Sequence, residues 1–217
     1  MKRFTLLLLP IAVLASACAT SSRDAASAGK PSCCVTNAGP ATAFTDKSLY
    51  QLDSTWTNDQ GQPMKLSALR GRVQVVAMFF ASCQYACPVI VHDMKRIETA
   101  LPESLRARVN FTLVTFDTGR DTPAALRTYR QRQQLAADRW TLLRATPDDT
   151  LEFAALLGVK YKQEATGQFA HSNLITVLNP EGEIIHQQIG LNQDIRETVK
   201  AIERAALTAE NHHPAHE

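Results

Sequence analysis

Apolar and polar positions follow two different periods along this chain. "VQVVAMFF" (73–80) and "NFTLVTF" (110–116) are nearly unbroken apolar runs, the pattern of strands buried on both faces of a helix-covered sheet. Between them Ile90, Met94, Ile97 and Leu101 recur at helical spacing, marking the buried face of a helix that ends before Pro102. Pro88 suits the first turn of that helix, where its missing N–H is no loss. Thr122-Pro123 predicts a second helix, with Thr122 as its cap. A short strand from Trp140 to Leu143 and a helix over 149–157, stopped by Gly158, follow. "NLITVLNPEGEIIHQQIG" (173–190) reads as strand, turn and strand, with the turn at Asn179 to Gly182. A last helix over 192–209 has Ile195, Val199 and Ile202 on its buried face. Upstream, residues from Leu49 predict a short hairpin around Asn58 to Gly61 and a turn at Ser67 to Gly71.

This order gives an α/β fold: a central mixed sheet flanked by helices, with parallel crossovers early and a hairpin late. Ligands of open α/β sheets gather at the carboxyl ends of the strands. "ASCQYACPVI" (81–90) lies there, between the first buried strand and its helix. A cysteine pair at that junction is the thioredoxin arrangement, so the fold is expected to be thioredoxin-like.

The N-terminus is a separate region. Met1-Lys2-Arg3 precedes an apolar stretch from Phe4 to Ala17, shorter than the ~20 residues that span a bilayer. Residues 1–17 therefore read as a secretory signal. "LASAC" offers a lipoprotein reading, in which Cys18 is acylated and becomes the mature N-terminus, a plain small-x-small cleavage reading at Ala15 and Ala17 that leaves a soluble periplasmic protein, and an uncleaved-anchor reading. The first is preferred, and places the protein in a bacterial cell envelope, lipid-anchored on the periplasmic side of the inner membrane. Residues 18–43, rich in Ala, Ser, Thr, Gly and Pro, read as a flexible tether, and 209–217 as a disordered tail carrying His212, His213 and His216.

Charge narrows the partners. Lys and Arg total 23 against 21 Asp and Glu, a formal charge of +2 with no basic stripe, so no nucleic-acid partner is expected. G-x-S-x-G, P-loop and dinucleotide fingerprints do not occur. The five cysteines are Cys18, Cys33, Cys34, Cys83 and Cys87, too few for a disulfide scaffold. An exported chain meets an oxidising compartment, where a close pair can exist as a disulfide. Cys33-Cys34 in the tether is either a local or intermolecular disulfide or a secondary thiol or soft-metal site.

Cys83 and Cys87 carry the chemistry. A helix N-terminus at Cys87 is expected to favour its thiolate, which is both nucleophile and metal ligand. Three intervening residues allow a redox-active disulfide, and equally allow two sulfurs around one soft ion such as copper(I). Spacing alone does not separate a thiol-disulfide oxidoreductase from a metal carrier. A third ligand would. His171, in "FAHSNL", reads as a loop residue just before a strand and is the candidate. His92 reads as solvated and His186 as structural, while Met78 and Met94 read as packing. Two sulfurs and one imidazole make a three-coordinate copper(I) site; copper(II) needs a further ligand. Asp117 and Asp121, in "TFDTGRDTP", follow the second buried strand on the same edge. They either support the site or a partner contact, or Asp121 and Thr122 simply cap the helix.

Three stretches together, "FFASCQYACPVIVHDM", "TLVTFDTGRDTPAALRTY" and "FAHSNLITVLNPEGEI", resemble the SCO/SenC family. These are membrane-tethered, thioredoxin-fold proteins that bind copper and help assemble the dinuclear copper centre of cytochrome c oxidase. The resemblance covers roughly residues 45–208, within an expected thioredoxin-like domain over 44–208. It implies copper ligation by Cys83, Cys87 and His171, with Asp117 and Asp121 as the family's acidic turn. It also implies partners: a copper acceptor such as the copper-bearing subunit of that oxidase, and a copper donor or thiol reductant. The chain departs from the family at Gln84 and Thr118, where proline is usual, and at Ala170, where aspartate is common. The alternative function is an oxidoreductase acting on the cysteines of a copper acceptor.

Overall fold

The computed structural model describes residues 44–208. Cys18, Cys33, Cys34 and the tail histidines, with the expectations attached to them, lie outside the described residues. A seven-stranded sheet is built from β1 (Trp56–Asn58), β2 (Pro63–Met64), β3 (Val73–Phe79), β4 (Val109–Thr115), β5 (Trp140–Arg144), β8 (Leu174–Leu178) and β9 (Ile184–Ile189), in the order β2-β1-β5-β4-β3-β8-β9. β3, β4 and β5 run parallel, while β8 pairs antiparallel with β3 and with β9, and β1 antiparallel with β5. β6 (Tyr161–Gln163) and β7 (Phe169–His171) make a separate two-stranded hairpin. The sheet is mixed and thioredoxin-like, as the strand patterns require.

Among the described residues five α-helices accompany these strands: α1 (Ala86–Ala100), α2 (Glu103–Arg106), α3 (Pro123–Arg132), α4 (Pro147–Leu157) and, after the last strand, α5 (Arg196–Thr208). Every residue of β3 is buried, which explains the unbroken apolar run: helices cover both faces of the sheet centre. Ile90, Met94, Ile97 and Leu101 are buried as their spacing predicts. Thr122 and Thr146 cap α3 and α4, each accepting a backbone N–H, from Ala125 and Asp149, and each is followed by proline. Gly158 ends α4 in the left-handed region at φ 73°, which lets its N–H reach Ala155. Gly182 has a second constraint besides φ 88°: a Cβ there would stand 2.6 Å from the Tyr50 ring.

Some boundaries differ from the sequence reading. β3 stops at Phe79, and α4 begins at Pro147 because Thr146 caps it. α5 begins at Arg196, since Asn192 takes a positive φ of 55° in the preceding turn. The turn at Ser67 to Gly71 is largely a 3₁₀ helix over Leu66–Leu69. α2 was not anticipated; Pro102 ends α1 and caps this short helix. His171 does not lie in a loop but closes β7.

No helix among the described residues is long and apolar enough to cross a membrane.

Candidate metal and thiol site

The site forms where β3 and β4 end. The chain leaves β3 through Phe80 and turns at once, with the Cys83 N–H donating to the Phe80 carbonyl. Ala81 is held from both sides. Its N–H donates to Asp121 Oδ2 at 2.9 Å, and its carbonyl accepts from Arg132 Nη2 at 2.7 Å. This pinned turn sets Cys83 half-buried at the mouth, one turn ahead of α1. Cys87 follows in the first turn of α1 and is fully buried. Both are free thiols.

The helix N-terminus acts differently from expectation. The Cys87 backbone N–H donates to Cys83 Sγ at 3.4 Å, so the free donor at the start of α1 serves the neighbouring sulfur. Burial pushes the Cys87 thiol itself well above the ordinary thiol value, and a backbone hydrogen bond at Phe80 offsets this only in part. The expected depression of the Cys87 pKa is therefore corrected: desolvation outweighs the helix end.

His171 arrives on the β6–β7 hairpin. One ring nitrogen, Nδ1, lies 3.0 Å from the carbonyl oxygen of Ser172. A carbonyl only accepts, so Nδ1 carries the proton, and in the neutral ring Nε2 presents its lone pair. Nε2 points at Cys87 Sγ, 3.8 Å away. One ligand atom each from Cys83, Cys87 and His171 lies within 4.8 Å of the others, close enough to hold one metal ion. Two thiols and an imidazole are a soft donor set.

The imidazole rests on an aromatic bed. Its centroid is 5.2 Å from that of Phe116 and 6.1 Å from that of Phe80. Phe116 also stacks on Tyr161 at 4.9 Å and packs on Phe169 at 5.0 Å. These rings join the hairpin to the ends of β3 and β4.

The two aspartates take different tasks. Asp121 is buried and points inward. Its Oδ2 accepts from Ala81 N–H and from the Thr115 hydroxyl. Burial raises its carboxyl above the ordinary carboxylate range. Capping of α3 falls to Thr122 alone. Asp117 accepts from the Arg120 backbone N–H and pairs with the Arg120 guanidinium.

The remaining candidates fall outside the cluster. His92 is exposed, and His186 Nε2 lies 3.0 Å from Thr198 Oγ1, a structural contact. Met78 and Met94 are core residues. Sequence reasoning missed Tyr85, which stands between the cysteines and is 84% exposed. It also missed Arg132, which lines a cleft of about 470 Å³ beside Cys83 together with Ser82, Gln84 and Pro88.

Comparison with known proteins agrees with this fold. The SCO1/SenC family model matches residues 43–207. The SCO1 protein homolog of Bacillus subtilis (strain 168) is 26% identical over 143 residues, which cover 63% of this chain and 72% of that protein. The crystal structure of a SCO1/SenC family lipoprotein from Bacillus anthracis has a TM-score of 0.65 at 21% identity, covering 76% of this chain and 99% of that one. Arabidopsis thaliana ScoI with copper bound has a TM-score of 0.60 at 18% identity, covering 70% and 96%.

Proposed function

Since the chain belongs to the SCO1/SenC family, we propose that it is a copper carrier, with copper(I) as its cargo and Cys83, Cys87 and His171 as the ligands. The convergence of two free thiols and an imidazole lone pair within 4.8 Å carries this reading. The copper-bound state of the similar Arabidopsis protein supports it. Soft thiolates select copper(I), and a fourth ligand is needed before copper(II) is well held. Cys83 faces the mouth, so an acceptor's thiolate meets that sulfur first and displaces it by ligand exchange. The acceptor is the copper-bearing subunit of cytochrome c oxidase or a related copper enzyme. Delivery takes place on the periplasmic side of the inner membrane, with the domain anchored through acylated Cys18. The "LASAC" sequence and the similarity to a Bacillus anthracis lipoprotein support that placement.

A second reading rests on the unequal exposure of the two sulfurs. Cys83 is half-buried and Cys87 is fully buried, the layout of an attacking and a resolving thiol. Cys83 thiolate attacks an acceptor disulfide, forming a mixed disulfide and releasing one acceptor thiolate. Cys87, on losing its proton, then attacks Cys83 Sγ and frees the second. The acceptor gains two electrons, the chain ends as a Cys83–Cys87 disulfide, and an external dithiol reductant resets it.

Anaerobic copper(I) titration of the reduced chain against a competing chelator tests the carrier reading. The account expects one tightly held copper and a loss of about a hundredfold or more in affinity for H171A. No binding by the wild type, alongside rapid reduction of an acceptor disulfide, would leave only the thiol reading.

A further inference from the structure

The β6–β7 hairpin, which carries His171, shares no strand pairing with the main sheet. Its own ladder is three residues on each side, closed by a turn in which Gly167 N–H donates to the Glu164 carbonyl. A two-stranded hairpin of this length is not stable by itself, so its position depends on what grips it. One grip is the aromatic bed at its base. Another is Arg120, at its tip.

Arg120 belongs to the turn after β4. Its Nε donates to Asp117 Oδ2, and its Nη2 donates to the carbonyl of Gly167 across 47 residues of sequence. Its guanidinium also stands 5.8 Å from the centroid of the Phe169 ring. One planar fork thus joins the acidic turn, the tip of the hairpin and the strand that ends in His171. The fork geometry matters: a guanidinium bonds a carboxylate and a carbonyl at once, in fixed directions.

We infer that Arg120, oriented by Asp117, is the positioning residue that clasps the β6–β7 hairpin and holds the His171 imidazole against the two sulfurs. Arg120 touches neither the ion nor its ligands; it acts through Gly167 and Phe169. Without the clasp the hairpin retains its aromatic base but loses its tip, and the imidazole spends less time within reach of Cys87. Asp117 then serves the site indirectly, by aiming the guanidinium. The inference rests on the copper reading for its effect on affinity, but the clasp itself is a property of the metal-free protein.

The test uses the chain with C18S, C33S and C34S, so that the only thiols are those of the site. Hydrogen exchange of the metal-free protein reports the clasp. R120A should speed exchange of the Glu164, Gly167 and Ser172 amides at least tenfold, with β3 and β4 amides unchanged. Copper(I) competition should show about tenfold weaker binding for R120A, and no further loss when R120A is added to H171A. R120K, with one donor group in place of the fork, should fall between R120A and the wild type. Should R120A fail to fold, D117N, which removes the charged anchor of the fork, must loosen the same amides. Unchanged hairpin exchange in the folded variants, or losses from R120A and H171A that multiply, would overturn the inference. If H171A itself leaves copper affinity intact, the carrier reading fails, and the exchange rates still decide the clasp.

Discussion

Nε2 of His171 lies 3.8 Å from Sγ of Cys87, although 84 residues separate them in the chain. Two independent features produce this approach. The pinned turn after β3 fixes the sulfurs, and the clasped hairpin brings the ring. The proton on Nδ1, held by the Ser172 carbonyl, leaves the nitrogen facing the sulfur as the one able to ligate.

On the proposed carrier function, the buried thiol makes copper binding pH-dependent. Burial raises the Cys87 pKa, so the free protein keeps this thiol protonated throughout the neutral range. Coordination requires the thiolate and expels that proton. Apparent copper(I) affinity should therefore rise with pH by about tenfold or more per pH unit, after correction for the competitor's own protonation. A flat profile between about pH 6 and 8 would show that Cys87 sulfur is not a ligand.

The two cysteines should also differ as nucleophiles. Cys83 is half-buried and its sulfur accepts the Cys87 N–H, whereas the Cys87 sulfur is buried and its ionisation is suppressed. In the reduced, metal-free protein, iodoacetamide should label Cys83 faster than Cys87 by about tenfold or more. Peptide mass spectrometry of a time course gives both rates. Preferential labelling of Cys87 would invert the assignment of attacking and resolving thiols.

Asp121 should matter to stability more than to ligation. D121A leaves the Ala81 N–H and the Thr115 hydroxyl without their buried acceptor, at a cost of about 2 kcal/mol in urea unfolding. D121N adds a pH test. The folded state raises the Asp121 pKa, so it binds the proton more readily than the unfolded chain does. Wild-type stability therefore drops as pH climbs from the unfolded value of 3.8 through the raised folded value. D121N lacks this loss, and its stability relative to wild type should improve across that window. A drift in the opposite direction would mean that the buried carboxylate is preferentially stabilised as the anion.

The aromatic bed makes a separate prediction. Phe116 contacts Tyr161, Phe169 and His171. F116A should cost about 3–4 kcal/mol and weaken copper binding as well, whereas F116L should retain most of both. Affinity unchanged in a folded F116A protein would show that His171 does not depend on the bed.

The sheet and the sulfurs were readable from the sequence because each left a strong local mark. β3 and β4 are continuous apolar runs, Thr122-Pro123 and Gly158 are explicit helix ends, and Cys83, Cys87 and His171 are rare residue types. The β6–β7 hairpin left no such mark. Its strands are three residues long, only partly buried and without alternation between apolar and polar positions. For the same reason His171 could be named but not placed on a strand. The inward turn of Asp121 depends on Ala81, 40 residues away, and no local pattern encodes it. The suppressed ionisation of Cys87 was missed because proximity to a helix end is visible in sequence, while complete burial of that side chain is not.

X-ray absorption at the copper K edge of the chain loaded with one copper(I) tests the central claim most directly. The account predicts a first shell of two sulfurs and one nitrogen, with the nitrogen lost in H171A and a sulfur lost in C83S or C87S. A first shell of sulfur alone in the wild type, or one that survives all three substitutions unchanged, would contradict it.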